Sequence, residues 1–401
     1  MVSASPLSDG RVKNLSTLEE VIQNQIQASP EKRITFAEFM ELALYHPTEG
    51  YYSSGKVGIG KAGDFFTSVS LGADFGELLA EQLAEIASVL NSPQPFQVIE
   101  MGAGLGNLAN DILSYWQVNY FDLFSTIEYS IVEESTALIE KQKELLKPWL
   151  DKGIPINWNS WSDIDDDSMT GCFFSNELVD AFPVHQVIWK ENKLQEIYVS
   201  ESSGQWVEVI DGLSTLKILD YFQNLNIDFN TDNYPEGYRT EVNLQALDWL
   251  KTVNKKLKQG YLLTIDYGYL ATQYYHPQRS QGTLQCYYQH RLHSDPYVNV
   301  GLQDLTAHVD FTTLENYGKS LGLDKLAFTQ QGLFLMSLGL GDRLVDLSSG
   351  KYNILEIMQR RDALHQLIDP RGLGKFGVLL QAKGLTPEQK ARSLKGFTAP
   401  Q

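Results

Sequence analysis

Eight residues in three short segments combine the types and spacing that a ligand-binding, group-transferring site needs. Glu100 precedes a loop with glycines at Gly102, Gly104 and Gly106, a second acid stands at Glu133, and Asn176, Glu177 and Asp180 form a third group. Glycines at alternate positions let the backbone approach a ligand and turn sharply into a helix. The spacing differs from the dinucleotide fingerprint GxGxxG, because the third glycine comes one residue early and Asn107 stands where that pattern needs glycine. Glu100 would repel a pyrophosphate, whereas a ligand carrying an amino group and a sulfonium would be attracted. The loop therefore favours S-adenosylmethionine over NAD.

Glu133 lies 27 positions after Gly106. A carboxylate there can accept both hydrogen bonds of a ribose diol, as in dinucleotide sites where the spacing is about 20 residues; the competing reading is a solvated acid at a strand end. Asn176 and Glu177 leave the sheet beside the place where a bound methyl group would project, with Asp180 one turn later. Carboxylates in that position can hold the rigid fork of a guanidinium and aim one nitrogen at the methyl carbon. Taken alone, the Asn-Glu pair reads equally well as a helix start.

These residues need strands that end beside one another. Short apolar runs at 97–101, 129–133, 154–158, 172–175 and 261–266 alternate with helical patterns, as in a doubly wound α/β sheet. Two further strands are expected at 325–329 and 376–381. An N-terminal helical extension (1–95) precedes the core, with helices at 16–29, 35–45 and 75–90; His46-Pro47 closes the second, since the residue before proline leaves the α region. The core is assigned to 96–181 and 243–385. It is interrupted by an insertion at 182–242 that opens as a strand meander with turns at Glu191-Asn192 and Ser203-Gly204, a segment suited to a substrate or partner. Irregular tyrosine-rich chain follows from 269 to about 302, and loops that long usually serve a site. A loose tail is expected at 386–401.

The bulk properties exclude several classes. The 401 residues are 43% hydrophobic and 20% charged, with a net charge of −18, so the chain folds and lacks the basic face that nonspecific nucleic-acid binding requires. Two cysteines, Cys172 and Cys286, build neither a disulfide framework nor a zinc site, and seven histidines offer only His290 and His293 as a close pair. No metal is expected, and no nucleophile elbow is present. The N-terminus has no secretory or mitochondrial leader pattern, and no run approaches the ~18 apolar residues of a membrane span. A cytoplasmic protein with no membrane insertion is the expectation, and a homo-oligomer is left open.

One more segment, Gly63-Asp64-Phe65-Phe66-Thr67-Ser68, has the composition of a glycine-hinged loop that would cover the cofactor; an ordinary turn is the alternative. Together with His46-Pro47, Gly50-Tyr51-Tyr52, the Glu100–Gly106 loop, Asn176 to Gln186, Ile265-Asp266-Tyr267-Gly268 and Asp304 to Phe311, it resembles the MidA family, which includes the mitochondrial complex I assembly factor that methylates a protein arginine. The resemblance runs in one order over about residues 20–385. The family loop usually reads Glu-Leu-Gly-Pro-Gly-Arg-Gly; Met101, Ala103 and Leu105 keep the glycines and lose a charge. The resemblance implies a seven-stranded Rossmann-like class I methyltransferase core with S-adenosylmethionine as cofactor. It also implies methylation of a protein arginine, on a subunit of an NADH dehydrogenase-type respiratory complex, by a bacterial member. On this reading Glu100, Gly102, Gly104, Gly106, Glu133, Gly63 and Asp64 bind the cofactor, and Asn176, Glu177 and Asp180 act at the methyl-transfer end. A cofactor-binding assembly scaffold without turnover, and a small-molecule methyltransferase, are the rival readings.

Overall fold

Residues 17–54, 67–230 and 233–399 are described by a computed structural model. The central sheet has seven strands: β1 (Phe96–Met101), β2 (Ile127–Val132), β3 (Ile156–Asn159), β4 (Met169–Asn176), β5 (Leu257–Asp266), β6 (Asp324–Gln330) and β7 (Gly377–Lys383). Their spatial order is β3-β2-β1-β4-β5-β7-β6, all parallel except β7, which runs against both neighbours. Every predicted strand of this sheet is present, each within four residues at its ends.

Side chains alternate across these strands, and both faces are apolar. Phe96, Val98, Cys172, Phe174, Tyr261, Leu263, Val378 and Leu380 enter one core; Ile99, Met101, Phe173, Leu262 and Leu379 enter the other. Burial on both faces is what makes a parallel strand read as a continuous apolar run. The first core is closed by α1 (Asp74–Val89), α2 (Asn107–Asn119) and α3 (Thr136–Leu150), the second by α4 (Leu244–Lys256) and α5 (Phe311–Leu321). Helix α1, grouped by sequence with the N-terminal extension, thus packs as part of the sheet sandwich.

Strands His185–Lys190, Lys193–Ser202, Gln205–Asp211 and Tyr238–Val242 form a second, antiparallel sheet, to which the N-terminal pair Ile34–Thr35 adds a strand. The turns fall where expected, with positive φ at Glu191, Asn192, Ser203 and Gly204. Helix Phe36–Tyr45, started by a Thr35–Glu38 capping box, shares a core with Val184, Val199, Leu305 and Ala307. The insertion is therefore built jointly with the N-terminal helices.

Two expectations are corrected. The stretch 269–302 is not simply irregular: it holds a short helix, Ala271–Tyr274, and the strands Gln285–Tyr288 and Arg291–His293, which form a small sheet with Asp304–Thr306. The tail is not loose as far as residue 399: Leu394 is buried, Phe397 packs on Phe334 at 5.3 Å, and the Gly396 N–H donates to the buried Gln82. Apolar residues spaced too sparsely to show a period were enough to dock it. Among the described residues no helix is long and apolar enough to cross a membrane.

Candidate active site

The strand order reverses between β1 and β4, and open α/β sheets bind ligands at that point, beyond the carboxyl ends of the strands. Register places the predicted residues there. Met101 pairs with Val132 on one side and Ser175 on the other, and Asn176 pairs with Ile265. The next residues along, Gly102, Glu133, Asn176 and Asp266, consequently sit along one edge. Above this edge lies a cavity of about 660 Å³.

Glu100, Gly102, Gly104, Glu133, Asn176, Glu177 and Asp180 all line the cavity. Gly106 does not; at φ 85° it is the turn residue that starts α2, packed against Gln142. Gly63 and Asp64 lie outside the described residues. Gly102 has φ 70°, and a Cβ there would meet the Leu178 side chain at 2.7 Å. At Gly104, with φ 54°, a Cβ would touch no atom of the described residues within 4 Å, so among them this position faces open space.

The loop is braced by a residue that sequence reasoning missed. Gln142 on α3 is 0% exposed; its amide donates to the Gly104 carbonyl at 2.8 Å and to Glu133 Oε2 at 3.3 Å, and accepts from Trp158 Nε1 at 2.8 Å. It ties the glycine loop to the acid after β2. Nothing in its sequence context distinguishes it from any helical glutamine. Glu133 Oε1 also accepts the N–H groups of Glu134 and Ser135, both at 3.0 Å, which hold this carboxylate in one orientation. Glu100 is 3% exposed and accepts from the Tyr129 hydroxyl at 2.7 Å; burial pushes its pKa up to about 7 against that hydrogen bond, with Glu133 nearby adding to the rise.

At the other end, Glu177 sits at φ 53° in the turn after β4. Its Oε1 accepts from Asn176 Nδ2 at 3.0 Å and from the Ser68 N–H at 3.3 Å. Its Oε2, the Asn176 Oδ1 and the Asp180 Oδ1 are enclosed and accept no hydrogen bond among the described residues. Burial, then the Asp180 charge, push Glu177 up to about 8; burial pushes Asp180 to about 6.

Asp266, at the end of β5, fixes this turn. It is 0% exposed; its Oδ2 accepts the N–H groups of Leu178, Val179 and Asp180 at 2.9–3.3 Å, and its Oδ1 accepts that of Tyr267 at 2.8 Å. Burial, with Asp180 and Glu177 close by, drives its pKa upward. Four N–H donors oppose that rise. The acid after an apolar strand is visible in the sequence, but its role is not, because three of its four partners lie 86 to 88 positions away.

The electrostatics of the whole cavity point one way. Glu41, Glu100, Glu133, Glu134, Glu177, Asp180, Asp248 and Asp304 line it, and among the described residues no lysine, arginine or histidine does. Such a chamber suits cationic ligands. A sulfonium cofactor fits on two counts, the open face of Gly104 and an acid on each of β1 and the β2 end, while the unsatisfied acceptors at Asn176 and Glu177 stand at the other end of the cavity.

Comparison with known proteins agrees. Residues 78–329 match the model of a family described as "Putative S-adenosyl-L-methionine-dependent methyltransferase". The chain is 29% identical to the mitochondrial protein arginine methyltransferase NDUFAF7 homolog of Caenorhabditis elegans, covering 88% of this chain and 83% of that protein. It is 28% identical to its Danio rerio counterpart, covering 96% and 93%. A structure from Burkholderia thailandensis, bound to S-adenosyl-homocysteine, superposes with a TM-score of 0.82 at 30% identity, covering 95% of this chain and 94% of that one. The chain therefore belongs to the S-adenosyl-L-methionine-dependent methyltransferases of the MidA family, the family its motifs resemble.

Proposed function

We propose that this enzyme methylates a protein arginine, with the cofactor held by Glu100, Gly102, Gly104 and Glu133, and the acceptor presented by Asn176, Glu177 and Asp180. Gly106 would act indirectly, by turning the loop into α2. The observation that carries the reading is the cavity lined by eight acidic residues and, among the described residues, no cationic side chain. An arginine is the acceptor that most needs it, since its planar guanidinium stays charged and is held best by several carboxylates. The names of the relatives support the same class. The resemblance to the MidA family extends the proposal to a subunit of an NADH dehydrogenase-type complex.

When bound, the cofactor supplies a methyl group on a positively charged sulfur, a good leaving group for displacement by nitrogen. The protein's part is placement and proton handling. Glu177 and Asp180, held by the turn that Asp266 pins, would orient the guanidinium so that one nitrogen faces the methyl carbon. A cation entering this pocket lowers the pKa of both carboxyls, so they ionise as it binds. As the C–N bond forms, the C–S bond breaks toward sulfur and the attacking nitrogen loses a proton. Glu177 is the proton acceptor within the turn: like Asp180 it has an oxygen without a partner among the described residues, and its pKa, pushed higher than that of Asp180, makes it the stronger base.

The test is transfer of label from methyl-labelled S-adenosylmethionine into the proteins of a cell extract, followed by acid hydrolysis and amino-acid analysis. Label in methylarginine is expected. Label confined to methyllysine or to low-mass metabolites would contradict the arginine reading.

A further inference from the structure

Asp304 lies 124 positions beyond Asp180 in sequence, yet both line the same cavity, and Asp304 is 3% exposed. The strand Asp304–Thr306 is carried to the site by a backbone bond, the Ala307 N–H donating to the Asp180 carbonyl at 2.9 Å. The Tyr52 hydroxyl donates to Asp304 Oδ1 at 2.7 Å. Tyr45, whose ring lies 5.5 Å from that of Tyr52, donates to the Ala181 carbonyl at 2.9 Å. Asp304 is close enough to Glu177 to contribute to the rise in its pKa. Asp180, also 3% exposed, lines the cavity with its carboxyl beside the Tyr267 side chain, and its Oδ1 accepts no hydrogen bond that meets full geometry among the described residues. Three carboxylates from two distant segments thus meet beside two tyrosine rings. A single monodentate acceptor needs one carboxylate; a guanidinium has five N–H donors on three nitrogens and can use all three.

Tyr52 also touches the cofactor end, because its carbonyl accepts from the Ser135 hydroxyl at 3.1 Å, and Ser135 in turn donates its N–H to Glu133. One residue spans both ends of the cavity, with its backbone on one and its hydroxyl on the other.

We propose that Asp304 holds the edge of the guanidinium that does not react, opposite Glu177 and Asp180, and that Tyr52 is the positioning residue that fixes Asp304 there. This rests on the arginine reading above. In that role Asp304 sets affinity for the acceptor, while cofactor binding is independent of it.

The experiment uses the full-length protein saturated with S-adenosylhomocysteine and three blocked tripeptides, acetyl-Gly-X-Gly-amide, with X arginine, lysine or the neutral arginine isostere citrulline. Calorimetry on the wild type is expected to show arginine bound in preference to both others. In Asp304→Asn the arginine peptide should weaken roughly 10- to 100-fold, the size of one charge-assisted contact, and in Tyr52→Phe by a smaller factor. Citrulline binding and S-adenosylhomocysteine affinity should hold in both variants. A wild type that does not prefer arginine to citrulline overturns the arginine reading and this inference with it. A wild type that does, with arginine affinity unchanged in Asp304→Asn, overturns this inference alone. Parallel loss of S-adenosylhomocysteine affinity in both variants would also overturn it, showing a structural role.

Discussion

The two ends of the cavity are built differently. The cofactor end is local: Glu100, Gly102 and Gly104 lie in one loop, and Glu133 follows the adjacent strand. Two neighbouring βα turns make it, and the strand register alone brings their residues together. The acceptor end is assembled from afar: Tyr52 reaches Asp304 across 252 positions, Ser68 reaches Glu177 across 109, and Asp266 holds the Leu178–Asp180 turn. A cofactor end built from two adjacent strands and the turns after them needs few distant partners, while the acceptor end depends on segments that lie outside the central sheet.

The sharpest way to break that division is Gly104→Val. Its Cβ would meet no atom of the described residues, and the side chain would fill the open face of the loop. S-adenosylhomocysteine affinity should fall more than roughly 100-fold, with a modest stability loss of about 1–2 kcal/mol from the left-handed backbone. Titration beside a thermal melt measures both, and unchanged affinity would remove Gly104 from the cofactor site.

The second prediction strikes the acceptor end. Asp266→Ala strands the four N–H groups that the carboxylate now accepts. A stability loss of about 3 kcal/mol is expected, together with loss of turnover at a temperature where the variant remains folded. A variant with full turnover and wild-type melting temperature would show that the turn holds itself.

The contrast also explains what the sequence revealed. Glycines, strand-end acids and short continuous apolar runs are local signals, so the seven strands, the Glu100–Gly106 loop and the Asn176–Asp180 group are legible. Gln142, Asp304 and Tyr52 were not assigned roles, because each acts through a partner that only the fold brings near. Asp266 shows the boundary: its position at the end of an apolar strand is readable, but its four backbone partners are not. The same reason accounts for the packed tail, where Leu394 and Phe397 find their neighbours on the helix Gln331–Leu338 and the sheet core.

A third prediction separates the ends by pH. Folding raises Glu100 to about 7 and Glu177 to about 8, above the usual glutamate value of about 4.3. The folded protein without ligand therefore binds more protons than the unfolded chain in between. The contribution of these groups to stability is complete below about pH 4.3 and is lost as pH rises through 7 and 8, by at most about 1.4 kcal/mol per pH unit for each group. Glu177→Gln should flatten that decline, so its melting temperature gains on the wild type between pH 5 and 8. Parallel curves for the two proteins would mean that Glu177 titrates normally.

The most direct test of two separable ends is calorimetric titration of wild type and Glu177→Gln with S-adenosylmethionine, S-adenosylhomocysteine and NADH, paired with a turnover assay. The account predicts micromolar binding of both sulfur ligands by both proteins, no binding of NADH, and turnover lower by roughly 100-fold in the variant. Loss of S-adenosylhomocysteine binding in Glu177→Gln, or full turnover without the carboxylate, would contradict it.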